Sequence, residues 1–490
     1  MQLYDIIKHI NFLEIIGNDK IEISSIEYDS RDVKKNSLFV AVKGLHVDGH
    51  DYIQKAIDNG ATAIVVDNRD IFESMNKNLK IVLMLAESSV KSMALMSKTF
   101  YGDPSKSMKV IGITGTNGKT TTTYLVKSIL ETAGKRVGVI GTIGCWIAGN
   151  FISSDKTTPE SVKLFEIISA MQKESIEYLV MEVSSIALVL DRVYGLKYDV
   201  VVFTNFTQDH LDFHGNFENY FKAKKLLFED YAKSDGLAIY NIDDDYGEKM
   251  VKDFPGKKIS YGFNDSSYCG TINSLTFDGL KLSIKENKVV ELESELIGKF
   301  NAYNILASYA ITRSVGIADD IIIEGIKRVK TVSGRFNKIK SDQGFWCVVD
   351  YSHTPDSLKN AMVTIKQIMN SGSKLITVFG CGGDRDKSKR SIMGSIADEL
   401  SDVIVVTSDN PRTEEPMAII KDILSGINNQ ENTFVKADRK EAIREAISLA
   451  QKEDVVLVAG KGHENYQEIN NKKIHFDDLE IIEELLNRKN

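Results

Sequence analysis

A glycine loop lies between the apolar run Val110-Ile111-Gly112-Ile113 and a helical pattern that continues through Leu130. It reads Thr114-Gly115-Thr116-Asn117-Gly118-Lys119-Thr120-Thr121. Strand, glycine loop and helix in that order leave few folds open, because the strand needs parallel neighbours and the helix must start at the loop. The spacing departs from strict G-x4-G-K-[ST], since the glycines fall at 112, 115 and 118. The means of binding phosphate are intact. Glycines let backbone N–H groups close on phosphate oxygens, the helix dipole adds positive potential, Lys119 reaches terminal phosphates and Thr120 can ligate Mg²⁺. A plain glycine-rich turn with a solvated lysine has the same composition, but the strand–loop–helix setting selects a nucleotide-triphosphate site.

The same rhythm runs on either side. Val137-Gly138-Val139-Ile140, Tyr178-Leu179-Val180-Met181 and Val200-Val201-Val202-Phe203 are short apolar runs of buried parallel-strand type. A further unit starts near Ser333-Gly334-Arg335, with strands at 347–349, 375–379, 403–406 and 455–458. Each of these runs into a polar loop, at 350–353, 380–385, 408–412 and 460–464, which describes one rim of a sheet. Before the glycine loop, strand-like segments near 37–42 and 63–66 and a helical stretch near 86–101 form a small α/β unit, closed by Tyr101-Gly102-Asp103-Pro104. The expected fold is α/β in three domains: a small N-terminal α/β domain (1–106), a central doubly wound P-loop ATPase-type parallel sheet (107–333) and a C-terminal Rossmann-like domain (334–490).

Composition narrows the function. With 490 residues, 42% hydrophobic and 27% charged, the chain can bury two to four cores. The formal net charge of −8 disfavours a nucleic-acid partner, which calls for a basic face. Cysteines 145, 269, 347 and 381 form no C-x-x-C pair and make neither a disulfide nor a zinc framework. No apolar run reaches the roughly 18 residues of a membrane span, and the N-terminus carries no secretory pattern. The cytosol is the expected compartment. There are only 6 prolines, where ~5% usage would give about 25. Those at 159, 355, 411 and 416 lie in motif-bearing segments, where they fix loops.

The loop and the segments around it resemble the Mur ligase family, the amide-forming ATPases of peptidoglycan synthesis. The resemblance runs through Asp29-Ser30-Arg31, Thr157-Thr158-Pro159, Met181-Glu182-Val183-Ser184-Ser185 and Thr204-Asn205. It continues through Asp209-His210-Leu211-Asp212, Ala223-Lys224, Gly298-Lys299-Phe300-Asn301 with Asn304, Gly334-Arg335-Phe336, Asp350-Tyr351-Ser352-His353 and His475-Phe476-Asp477-Asp478, in the family's order. It implies an ATP-dependent ligase that phosphorylates a carboxylate and lets an amine displace the phosphate, acting on small molecules and expected as a monomer. Two anions, triphosphate and carboxylate, must meet, so the barrier is largely electrostatic.

By resemblance, Gly115, Thr116, Asn117, Gly118, Lys119, Thr120 and Thr121 hold ATP, with Asn304, Arg335 and Asp350 at adenine, phosphate and ribose. Lys119, Glu182, His210 and Lys224 are the implied catalytic set, and Thr120, Glu182, His210 and Lys224 (as a carbamate) the implied Mg²⁺ ligands. Taken alone, His210 reads as a loop histidine and Lys224 as a surface lysine on a helix it shares with Lys222 and Lys225. Ser30, Thr157, Thr158, Ser184 and Arg192 match positions for the uridine-nucleotide substrate, UDP-N-acetylmuramoyl-L-alanyl-D-glutamate. Three positions depart from the family: Ile186 for histidine, Leu190 for glutamine and Ser391 for proline.

The acceptor is implied by Asp409-Asn410-Pro411-Arg412, which resembles the diaminopimelate motif. Meso-2,6-diaminopimelate differs from L-lysine by a distal carboxylate, which an arginine fork pairs with bidentately. Arg385, Gly460 and Glu464 complete the pocket in the family, with Glu464 suited to the ammonium. The alternatives are L-lysine as acceptor, with Arg412 merely bridged to Glu414 or Glu415, and a non-catalytic protein gated by nucleotide.

Overall fold

The computed structural model describes residues 1–44, 47–75, 80–154 and 156–487. The chain forms two compact units, Met1–Ser260 and Tyr261–Asn490. The first holds two sheets. Strands β1 (Glu14–Ile16), β2 (Ser25–Glu27), β3 (Ser37–Val40), β4 (Ala61–Val66) and β5 (Val82–Leu85) are ordered β1-β5-β4-β3-β2. All run parallel except β1, which is antiparallel to β5 at the edge. The helix expected near 86–101 spans Ser89–Phe100, because the Ser88 side chain accepts from Lys91 N–H and caps it there. It packs on the helix Ser161–Lys173, whose Val162 joins the apolar cluster of this small sheet.

The second sheet contains β6 (Lys109–Thr114), β7 (Val137–Ile140), β8 (Cys145–Ile147), β9 (Asn150–Ile152), β10 (Tyr178–Glu182), β11 (Tyr198–Phe203) and β12 (Ala232–Asn241). Their order is β12-β11-β6-β10-β7-β8-β9, parallel from β12 to β7. The chain leaves β6 toward β7 and returns to its other side at β11, so β6, β10 and β11 meet at a switch point with their carboxyl ends together. The expected apolar runs are the inner strands. The antiparallel hairpin β8–β9 adds an edge outside those runs.

In the second unit, β13 (Lys257–Gly262, straddling the boundary) pairs parallel with β14 (Tyr268–Thr276), followed by the antiparallel β15 (Gly279–Lys285) and β16 (Val289–Ser294). The last sheet comprises β17 (Asn337–Lys340), β18 (Trp346–Asp350), β19 (Leu375–Phe379), β20 (Val403–Val406), β21 (Thr433–Val435) and β22 (Val455–Ala459). Its order is β17-β18-β22-β19-β20-β21, with only β17 antiparallel. Alternate residues feed two cores: Leu375, Phe379 and Leu457 on one face, Ile376, Val378 and Val456 on the other. Burial on both faces is why these strands read as unbroken apolar runs. The loops after β18, β19, β20 and β22 share the sheet's carboxyl edge, as the rim expectation required. A short hairpin, β23 (Tyr466–Ile469) and β24 (Lys472–His475), follows. Among the described residues no helix is long and apolar enough to cross a membrane.

Candidate functional site

The glycine loop joins β6 to the helix Lys119–Thr132, with Gly118 at its N-cap and no acidic residue in its first turn. That leaves the positive end of the helix open to an anion. The loop is braced from the end of β11. Asn117 N–H donates to Asn205 Oδ1 (2.9 Å), while Thr204 Oγ1 (2.6 Å) and Asn205 Nδ2 (3.0 Å) donate to Asn117 O. Gly115 has φ +149°, and a Cβ there would collide with Thr204 Oγ1, so only glycine fits. Lys119 Nζ folds onto the loop, donating to the Gly115 and Thr116 carbonyls at 2.8 Å each. Thr120 and Thr121 are buried in the helix's first turn.

Glu182, the last residue of β10, is fully buried. Thr120 Oγ1 (3.0 Å) and Thr142 Oγ1 (2.9 Å) donate to its Oε2, and Thr142 N–H donates to Oε1 (3.0 Å). Thr157 Oγ1 lies 3.0 Å from Thr142 Oγ1. Thr158 Oγ1 donates to the Glu182 carbonyl (2.9 Å) and accepts from Ser184 N–H (3.2 Å). Arg192 reaches Thr158 O (3.4 Å) and pairs with Glu160 (2.9 Å). Thr157, Thr158, Ser184 and Arg192 are thereby gathered around Glu182. Ser30 is buried in the turn after β2, its carbonyl held by Asn59 Nδ2 at 2.8 Å.

Lys222 and Lys225 face solvent partners: Lys222 pairs with Glu218, and Lys225 with Glu229 and Asp253. Lys224 on the same helix, Phe217–Leu226, is only 2% exposed. Its Nζ donates to Gly115 O (2.9 Å) and lies 4.4 Å from the centre of the Tyr220 ring, one helical turn away. Burial, reinforced by the Lys119 ammonium, pushes its pKa well below the usual lysine range, against an opposing pull from Asp209. The shift is toward the neutral amine. His210, at φ +50°, holds Nε2 3.5 Å from Asp209 Oδ2 and its ring 6.3 Å from that of Tyr220. Its side chain is 46% exposed, and partial desolvation lowers its pKa against the attraction of Asp209. Thr120 and Glu182 meet, whereas His210 makes no hydrogen bond to Glu182. Among the described residues no three His, Cys, Asp or Glu side chains cluster as a metal cage. The hydroxyl–carboxylate pair is a hard-oxygen donor set that suits Mg²⁺.

In the second unit, Asn304 is buried and donates to Asn301 Oδ1 (3.0 Å). The Arg335 guanidinium lies 5.1 Å from the Tyr351 ring centre. Asp350 is buried, accepts from Phe336 N–H (3.0 Å) and from Ser352 Oγ, and has its pKa raised by burial against the Arg335 charge.

The rim beyond β19, β20 and β22 is crowded with charge. Arg412 Nη1 donates to Gly383 O (2.7 Å) and Nε pairs with Glu468 (3.3 Å). Neither Glu414 nor Glu415 is its partner, since Glu414 is taken by Arg390 at 2.8 Å. Asn410 Nδ2 donates to Glu464 Oε2 (2.8 Å), and Gln467 Nε2 donates to Asp409 O (2.7 Å). Gly460, at φ +122°, lets Asp409 Oδ2 pack against its backbone where a Cβ would sit. Gly383 lies against the Pro411 carbonyl, and Arg385 is exposed on the same loop as Gly383.

Sequence reading missed Thr142, Tyr220 and Lys461. Lys461 Nζ is buried and donates to Asn410 Oδ1 (3.1 Å) and Glu464 Oε2 (3.3 Å). Tyr220 could have been found from its i, i+4 spacing to Lys224. Thr142 and Lys461 carry no signal beyond their place after a strand.

The chain matches the model of the Mur ligase family catalytic domain over residues 22–96, that of the Mur ligase middle domain over 113–312 and that of the Mur ligase glutamate ligase domain over 334–462. It is 44% identical over 494 residues to a Clostridium botulinum protein named UDP-N-acetylmuramoyl-L-alanyl-D-glutamate--2,6-diaminopimelate ligase, covering 99% of each chain. A protein of the same name from Caldanaerobacter subterraneus is 43% identical over 490 residues, again covering 99% of each. A solved structure under that name superposes with a TM-score of 0.70 at 28% identity, covering 100% of this chain and 99% of the other. A MurF ligase from Thermotoga maritima shares the fold, with a TM-score of 0.63 at 20% identity over 95% of this chain and 98% of that one.

Proposed function

This chain belongs to the Mur ligase family, and on that premise we propose that it joins meso-2,6-diaminopimelate to UDP-N-acetylmuramoyl-L-alanyl-D-glutamate with release of ADP and phosphate. The observation that carries the reading is Lys224, the buried amine kept at the Gly115 carbonyl, whereas Lys222 and Lys225 on the same helix are each paired with carboxylates. A binding switch has no use for such a group; a ligase that must bring a triphosphate and a carboxylate together does.

The loop amides and Lys119 take the β- and γ-phosphates, with Lys119 turning from its own loop's carbonyls to the ligand. Thr120, Glu182, His210 and a carbamate on Lys224 would hold magnesium, which when bound would screen the two anions from each other. Thr157, Thr158, Ser184 and Arg192 present the D-glutamyl carboxylate, and Ser30 belongs to the uridine end. The γ-phosphoryl passes to that carboxylate, giving an acyl phosphate. The neutral acceptor amine attacks its carbonyl carbon, and phosphate leaves with the C–O bonding pair and the proton shed by the nitrogen. Asn304, Arg335 and Asp350 hold the adenosine side.

On the acceptor rim, Arg412 offers its outer N–H groups to the distal carboxylate, and Asp409 and Glu464 face the neighbouring ammonium, with Arg385, Asn410, Pro411 and Gly460 completing the pocket. Labour divides among residues 1–106, 107–333 and 334–490, in a cytoplasmic monomer that needs no nucleic acid. The test is phosphate release with ATP, Mg²⁺, the UDP-linked dipeptide and a panel of amino acids. Turnover with diaminopimelate and little with L-lysine is expected. Equal turnover with both, or none with either, overturns the reading.

A further inference from the structure

The segment His475-Phe476-Asp477-Asp478 has no part in the chemistry above, yet its last residue is fully buried. Asp478 opens the helix Asp478–Asn487 and receives both arms of the Arg439 fork: Nε to Oδ1 and Nη2 to Oδ2, each at 2.8 Å. Both side chains are 0% exposed. Arg439 in turn opens the helix Arg439–Leu449, capped by Asp438.

The guanidinium also reaches two main-chain carbonyls: Nη2 donates to Ala459 O (3.0 Å) and Nη1 to Ser408 O (3.5 Å). Ala459 ends β22 just before Gly460, and Ser408 precedes Asp409. One buried side chain thus spans the roots of both acceptor loops. These loops touch at the same level, where Asp409 Oδ2 lies against Gly460. After Asp478, the anions acting on Arg439 are Asp409 and Glu464, one on each loop. Stability alone does not call for this arrangement, because a buried ion pair is often matched or bettered by apolar residues of the same volume. Apolar residues could not hold two carbonyls at a set spacing.

We propose that Arg439, anchored by Asp478, is a positioning residue for the acceptor site: it sets the spacing between 409–412 and 460–464 and so the aim of Arg412 relative to Glu464. The role assigned to those loops rests on the reading under Proposed function; the clamp itself does not.

The deciding variant is the double replacement Arg439→Met/Asp478→Leu in the full chain, which removes both charges and keeps the volume. The expected result is a melting temperature at or above that of the parent and a KM for ATP within about twofold. The KM for diaminopimelate should rise about 10- to 100-fold, as small misplacements of binding groups do. Asp478→Asn, closer to the native shape, should give a smaller rise in the same constant. Hydrogen exchange at Asn410, Arg412 and Lys461–Glu464 provides a readout that needs no substrate, and it should quicken in both loops. Unchanged exchange, or a lower melting temperature with an unchanged diaminopimelate KM, overturns the clamp. If the double variant does not fold, exchange in Asp478→Asn decides in the same way. A native enzyme that ignores diaminopimelate overturns the acceptor reading, while exchange still decides the clamp.

Discussion

Around the glycine loop, the buried carboxylate of Glu182 is met by two hydroxyls and a main-chain N–H, and the buried amine of Lys224 is held where its neutral form is favoured. On the rim of the C-terminal sheet, Arg412, Arg439 and Lys461 stand against Asp409, Glu464, Glu468 and Asp478, most of them paired. The first region keeps few charges of its own, as suits the proposed site of a triphosphate and its metal ions, which would bring charge with them. The second, proposed to tell one small zwitterion from another, has its charges built in and fixed to each other. Desolvated charges need partners, and here the protein supplies them before any ligand arrives.

The largest effect is expected at Lys224. Lys224→Met should fold, since burial favours the apolar side chain, yet lose roughly 10²- to 10³-fold in kcat, the scale of removing a preorganised electrostatic group. Steady-state turnover with circular dichroism as a fold control checks this, and near-native turnover would remove the proposed carbamate. Next in size is Arg412→Ala, with an expected rise of about 10- to 100-fold in the KM for diaminopimelate, as for a lost charge-assisted hydrogen bond. ATP affinity should be unchanged. Equal losses for both ligands would show that the rim only supports the fold. Thr142→Val strips one donor from buried Glu182 and should lower kcat about 10-fold, with a raised Mg²⁺ requirement seen on titration. A shift in the KM for diaminopimelate instead would mean that the regions are not chemically separate.

The smallest effect concerns the buried imidazole in each region. Burial above all pushes His214 down to about 4, and burial, helped by Arg335, does the same to His463. Both values lie below the ~6.5 of an unfolded histidine. Their contribution to stability is therefore complete above that pH and declines as pH falls toward 4. Melting curves between pH 7 and 5 should fall by a few degrees (~2–5 °C). His463→Phe, which keeps a ring tilted against Tyr351, should flatten that slope; an unchanged slope would mean that His463 titrates normally.

What could be read from residues alone followed burial. β6, β10, β11 and β18–β20 are covered on both faces, so their apolar runs are continuous and stand out. The meander β14–β16 alternates exposed and buried residues, as in Val289–Ser294, and leaves no such run. The hairpins β8–β9 and β23–β24 are short and partly exposed for the same reason. Within the site, the phosphate loop was legible because a helix N-terminus, glycines and a lysine carry their chemistry locally. Lys224 could not be told from Lys222 and Lys225 by type or spacing. Nor could the partner of Arg412, which is Glu468 on a later hairpin rather than the neighbouring Glu414 or Glu415.

The amino-acid order by itself determined the α/β rhythm, the glycine loop after β6 and the polar rim after β18, β19, β20 and β22, because periodicity and backbone chemistry act over a few residues. Only the tertiary structure decided which lysine lost its water, that Thr142 and Thr120 share one carboxylate, and that Arg439 reaches Ser408 and Ala459 at once. Desolvation and pairing of charges depend on what the folded chain brings from far along its length, and no local pattern records them.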